Sequence, residues 1–171
     1  MMRLVPVSVV MAAAALEANA NELIQDIVDG SVHSPLPASR KELLKDLKDD
    51  HSGNAWDRYR RFSLLMDKEP NTGMEPWHNA RLLVKFRNEF IHFKPSWDSD
   101  DIHNGKLVEG LRKKIPVVAA YKGNFLFPYD FMTYGCAKWA VQTVLTFSAE
   151  FAKLLGVKDK FVGPGLDFNL P

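Results

Sequence analysis

Apolar residues recur at helical spacing along most of the chain. Ala13, Leu16, Ala20, Leu23, Ile24, Ile27 and Val28 fall three and four positions apart, the stripe of an amphipathic helix. That helix is predicted from about Ser8, as N-cap after Pro6, to about Asp29, with Gly30 as its stop. A proline-rich connector follows at Ser34-Pro35-Leu36-Pro37, and Ser39-Arg40-Lys41-Glu42 reads as a capping box opening a second helix to about Asp50. A third helix is predicted from Trp56 to about Lys68, before Pro70. Pro76 suits a first helical position and opens a fourth helix, to about Phe93. A shorter helix covers residues 107–115 and is stopped by Pro116. Residues 117–128 read either as a small hairpin around Lys122-Gly123-Asn124 or as a hydrophobic loop on the bundle. The longest periodic run covers residues 130–155, through Met132, Cys136, Trp139, Ala140, Thr143, Val144, Phe147, Phe151 and Leu154, and Gly156 ends it.

Helical stripes of this kind are buried only against one another, so the expected fold is all-α: a single-domain, up-and-down helical bundle spanning residues 1–171. Its core is expected at about residues 8–156, with an irregular tail at 157–171. Trp56, Phe62, Trp77, Phe86, Phe90, Trp139, Phe147 and Phe151 fall on helices and read as core rather than as a base-stacking platform.

A length of 171 residues, 46% of them hydrophobic, is ordinary for one globular domain. The 22 Lys and Arg nearly balance the 21 Asp and Glu, for a net charge of +1, so no global basic field collects nucleic acid. Contact with RNA or DNA would fall to local clusters: Arg40-Lys41, Arg58/Arg60/Arg61, Lys85/Arg87 and Arg112-Lys113-Lys114. The first and last read as solvated helix faces.

Cys136 is the single cysteine, in an apolar helical run, and is read as a buried core residue. The five histidines form no pair at ligand spacing, so no metal site and no cofactor are expected. The N-terminus resembles a signal peptide, with Ala18-Asn19-Ala20 as a cleavage site. Glu17 interrupts that segment, and the apolar stripe continues past the cut. A structural first helix, a reducing cytoplasmic location and no membrane partner are therefore expected.

Chemistry concentrates in Arg87-Asn88-Glu89-Phe90-Ile91-His92, near the end of the fourth helix. Arg87 and His92 are roughly 140° apart around the helix, and Asn88 lies between them. A guanidinium grips phosphate in a fixed fork, and an imidazole moves a proton near neutral pH. The plain alternative is a solvated Arg and His on an exposed helix face. Glu89 reads as an exposed residue or as a partner for Lys85.

Arg87-Asn88-x-x-x-His92 resembles the R-N-x-x-x-H signature of HEPN domains (higher eukaryotes and prokaryotes nucleotide-binding). The first helix, with Glu17, Asn21 and Glu22, is similar to that family's opening helix. Phe127-Pro128-Tyr129-Asp130 leading into residues 134–140 resembles its closing helix. The resemblance implies a metal-independent endoribonuclease that cuts RNA through its 2′-hydroxyl. Arg87, His92 and Asn88 would be catalytic, supported by Glu17 or Asn21, in a composite site across a homodimer. Asn88 would orient His92 or donate to the phosphate. Polar residues at a helix–helix seam are an equal reading for Glu17 and Asn21. An antitoxin or nucleotidyltransferase partner is compatible with the family. Some members do not cleave, so a non-catalytic interaction or nucleotide-binding module is the alternative.

Overall fold

A computed structural model of the chain describes residues 4–32, 36–50, 53–92, 105–117 and 127–161. Among these the protein is an all-α bundle with no strand: α1 (Val5–Val28), α2 (Ala38–Asp49), α3 (Ala55–Leu65), α4 (Trp77–Ile91), α5 (Gly105–Arg112), a 3-10 turn (Tyr129–Phe131) and α6 (Tyr134–Leu155).

Helix ends follow the local chemistry, with three departures from the expected caps. Asn54 accepts from the Asp57 amide at 3.1 Å and opens α3, and Gly30 and Gly156 take φ of 75° and 72° just past α1 and α6, a conformation cheap only without a β-carbon. Ser8, however, is not an N-cap. The helix begins at Val5, with Pro6 in its first turn, and the Ser8 hydroxyl donates back to the Leu4 carbonyl at 3.0 Å. Nor does Ser39 form a capping box. α2 starts at Ala38 after Pro37, with no side-chain cap, because the extended Pro37 already turns the chain into the helix. The long final run is also split. The 3-10 turn ends at Phe131, and Thr133 then caps α6 by accepting from the Cys136 amide at 3.0 Å. A β-branched hydroxyl stops the periodic run more effectively than its apolar spacing continues it.

α1 is the central element and packs most extensively on α6. Its buried face runs from Val5 and Val9 through Leu16, Asn19 and Leu23 to Ile27. Among the described residues it is the helix long and apolar enough to cross a membrane by composition, yet this face is spent on the bundle. A cut after Ala20 would remove half of it.

The core is largely aromatic. Phe147 and Phe151 stack at 5.9 Å, Tyr59 meets Phe151 edge-on at 4.6 Å, and Trp77 meets Phe147 at 4.9 Å. Trp77 opens α4 and meets late α6, whereas Phe86, near the end of α4, packs on Phe131 just before α6. The two helices therefore run antiparallel. Trp56 and Phe90 are only half-buried. The Tyr59 hydroxyl donates within the core and joins α3 to α1 through the Leu16 carbonyl at 2.9 Å and Asn19 Oδ1 at 2.8 Å. Cys136 is buried, and burial pushes its thiol up to about 12.

The segment after α6 is irregular but not detached. Val157 and Phe161 pack on the core, and Asp159 accepts from Ser148 at 2.6 Å. Most of the 117–128 segment and residues 162–171 lie outside the described residues.

Candidate functional site

Where α1, α3 and α4 meet, one face of the bundle is polar. A cavity of about 580 Å³ is lined by Glu17 and Asn21 of α1, by Gly53, Asn54, Ala55 and Arg58 at the start of α3, and by Arg87, Asn88 and His92 at the end of α4. All five residues singled out in the sequence therefore line one cavity, although about 70 positions separate the α1 pair from the α4 trio.

The spacing on each helix explains the convergence. Glu17 and Asn21 are one turn apart on the edge of α1 beside its buried stripe. Arg87 and Asn88 follow buried Phe86 and are half-buried at the cavity wall. His92 is exposed at the C-cap of α4, where its amide donates to the Asn88 carbonyl at 2.9 Å. Phe86 and Leu83 hold α4 in the core, so the polar residues of its last turn face the opening.

The Asn88 side chain meets Arg87: Arg87 Nη1 donates to Asn88 Oδ1 at 3.0 Å. Arg87 Nε is buried with no hydrogen-bond partner among the described residues, and a buried donor left unsatisfied is costly. Glu89 is half-buried and makes no ion pair with Lys85.

Arg58 was legible only as a member of a basic cluster. It is 8% exposed, and it donates to Asn21 Oδ1 at 2.9 Å and to the Asp50 carbonyl at 2.7 Å. Its cluster neighbours Arg60 and Arg61 are exposed, and Arg61 is neutralised by the Asp50 carboxylate at 2.8 Å. The helical angle separates them: Arg58 lies beside core residue Tyr59 on the α1-facing edge, a placement periodicity alone could suggest but not prove.

Among the described residues no group of His, Cys, Asp or Glu is arranged to hold a metal ion. The cavity can offer two guanidiniums, three amides, one carboxylate and one imidazole, a donor-rich set suited to an oxyanion. A second groove, between α2 and α3, is lined mainly by Leu43, Leu47, Leu64 and Leu65 and has a different character.

Fold and site together define an all-helical bundle with a cationic, amide-lined cavity. The chain matches no protein-family model, no curated protein and no solved structure.

Proposed function

We propose that the protein is a metal-independent endoribonuclease of the HEPN type, with its site at Arg87, Asn88 and His92. The observation that carries this reading is the convergence of Glu17 and Asn21 with the α4 trio on one cavity. The resemblance tied those residues together without reference to geometry.

RNA brings its own nucleophile. The 2′-hydroxyl oxygen attacks the adjacent phosphorus while its proton passes to an imidazole, and the bond to the 5′-oxygen breaks as that oxygen receives a proton. His92 takes one of these roles, and His92 of a second copy takes the other. Arg87, held by Asn88, stabilises the charge gathering on the phosphate oxygens. The products are a 2′,3′-cyclic phosphate and a free 5′-hydroxyl. The exposure of His92 at the cavity rim suits a site shared with a second copy. The exposed apolar edge of α1, formed by Leu4, Val7 and Met11, gives that copy a surface to cover.

The test is cleavage of a single-stranded RNA ladder in EDTA, beside the same sequence with 2′-deoxyribose throughout. RNA alone should be cut, and light scattering should give about twice the 19.4 kDa chain mass at micromolar concentration. Cleavage that requires added divalent metal, or equal cutting of DNA, overturns the mechanism. A monomer that binds RNA without cutting it makes the protein a binding module instead.

A further inference from the structure

Two arginines line the cavity, and among the described residues neither is paired with a carboxylate. Arg58 is held by an amide oxygen and a main-chain carbonyl, Arg87 by an amide oxygen. Several cations outside the cavity are paired with acids, among them Arg40 with Asp67 at 2.6 Å, Arg61 with Asp50 at 2.8 Å, Lys113 with Glu109 at 2.8 Å, and Lys114 with Glu75. Glu17 is the acidic residue of the cavity lining, and among the described residues it forms no ion pair with either arginine.

Burying a guanidinium without a counter-charge is unfavourable. Neutral acceptors fix its orientation and leave its full charge for something else. The start of α3 adds to the field. Gly53, Asn54 and Ala55 line the same cavity, and the amide end of a helix favours anions. Arg58 and Arg87 together therefore suit an anionic ligand.

We propose that Arg58 is a second phosphate-binding residue of this cavity. Held by Asn21 and the Asp50 carbonyl, it engages a backbone phosphate of single-stranded RNA alongside Arg87. The assignment rests on the nuclease reading for the identity of the polyanion, and it gives Asn21 a role as the residue that positions Arg58.

The experiment measures binding rather than cleavage. A fluorescent 2′-O-methyl oligouridine, which has no free 2′-hydroxyl and cannot be cut by the proposed route, is titrated into the full chain over a range of salt concentrations. Arg58→Gln should weaken binding about tenfold or more, the scale of a lost charged hydrogen bond. It should also lower the slope of log affinity against log salt by about 0.7, the value for one phosphate contact on a single strand. Arg58→Lys should keep the slope and lose affinity, because it retains charge without the fork. Arg61→Gln should match wild type. A variant that is merely less stable, with the wild-type slope, overturns the proposal, as does wild-type protein that does not bind the probe. Should Arg58→Gln fail to fold, the guanidinium NMR signal of Arg58 in wild-type protein decides. It must shift as the oligouridine is added, and an unmoved signal refutes the assignment. Binding that depends on Arg58 in a protein that cuts nothing removes the nuclease reading alone. Cleavage and binding unchanged in Arg58→Gln remove this inference alone.

Discussion

Arg58 and Tyr59 are neighbours in the chain and belong to opposite regions of the molecule. Tyr59 lies in the aromatic core, where its ring meets Phe147 and Phe151 and its hydroxyl is matched to two acceptors of α1. Arg58 lies in the cavity, where neutral acceptors orient it and no carboxylate among the described residues pairs with it. In the core the aromatic rings meet edge-on or stacked, although Asn19 Nδ2 and Trp139 Nε1 are buried there without a partner among the described residues. In the cavity Arg87 Nε is likewise buried without a partner among the described residues, and two guanidiniums face the same space. The core is arranged for stability, whereas the cavity gathers polar and cationic side chains suited to an anion.

Three substitution experiments test that contrast. His92→Ala should reduce RNA cleavage by about 10²–10⁴-fold, the usual cost of losing an acid–base group, and Arg87→Ala by about 10²–10³-fold. Chemical unfolding should show wild-type stability for His92→Ala. For Arg87→Met it should show stability unchanged or raised by up to about 1 kcal/mol, since an unsatisfied buried donor disappears. Cleavage retained in both alanine variants would place the chemistry elsewhere, and a large loss of stability in Arg87→Met would make the cavity a structural element like the core.

Phe151→Ala should behave in the opposite way. Phe151 is fully buried between Phe147, Tyr59, Phe62 and Trp77, and its truncation should cost about 3–5 kcal/mol of unfolding free energy. Cleavage per folded molecule should stay near wild type at low temperature, measured alongside a urea melt.

The smallest effect concerns alkali. Burial raises the Cys136 thiol to about 12 from an ordinary value of 9.0, so between these values the folded state binds more protons than the unfolded state. Its contribution is fully present below about pH 9 and is lost as pH rises toward 12. Burial, reinforced by the Asp159 carboxylate, shifts Tyr59 in the same direction. Between about pH 8 and about pH 10 the wild type should lose on the order of 1 kcal/mol more stability than Cys136→Val. Parallel urea midpoints in the two proteins would show that the thiol titrates freely when folded.

Much of the fold was legible in the sequence because it is local. The stripe on α1, Pro76 at the start of α4 and Gly156 after α6 are decided by side chains within a turn or two. Capping was the weaker part of the reading. Ser8, Ser39 and the 130–155 run were misjudged because several residues near each helix start can stop or continue it, and the neighbouring chain direction selects one.

The chemistry divides in the same way. By itself the sequence determined that Arg87, Asn88 and His92 crowd one helix end and that Glu17 and Asn21 share a face of another, because both follow from about 100° of rotation per residue. Only the tertiary structure decided that the two groups meet, that Asn88 holds Arg87, and that Arg58 rather than Arg60 or Arg61 turns inward beside Asn21. The physical reason is that helix periodicity fixes directions around an axis. Which axes lie side by side depends on how the aromatic surfaces of α3, α4 and α6 pack around α1.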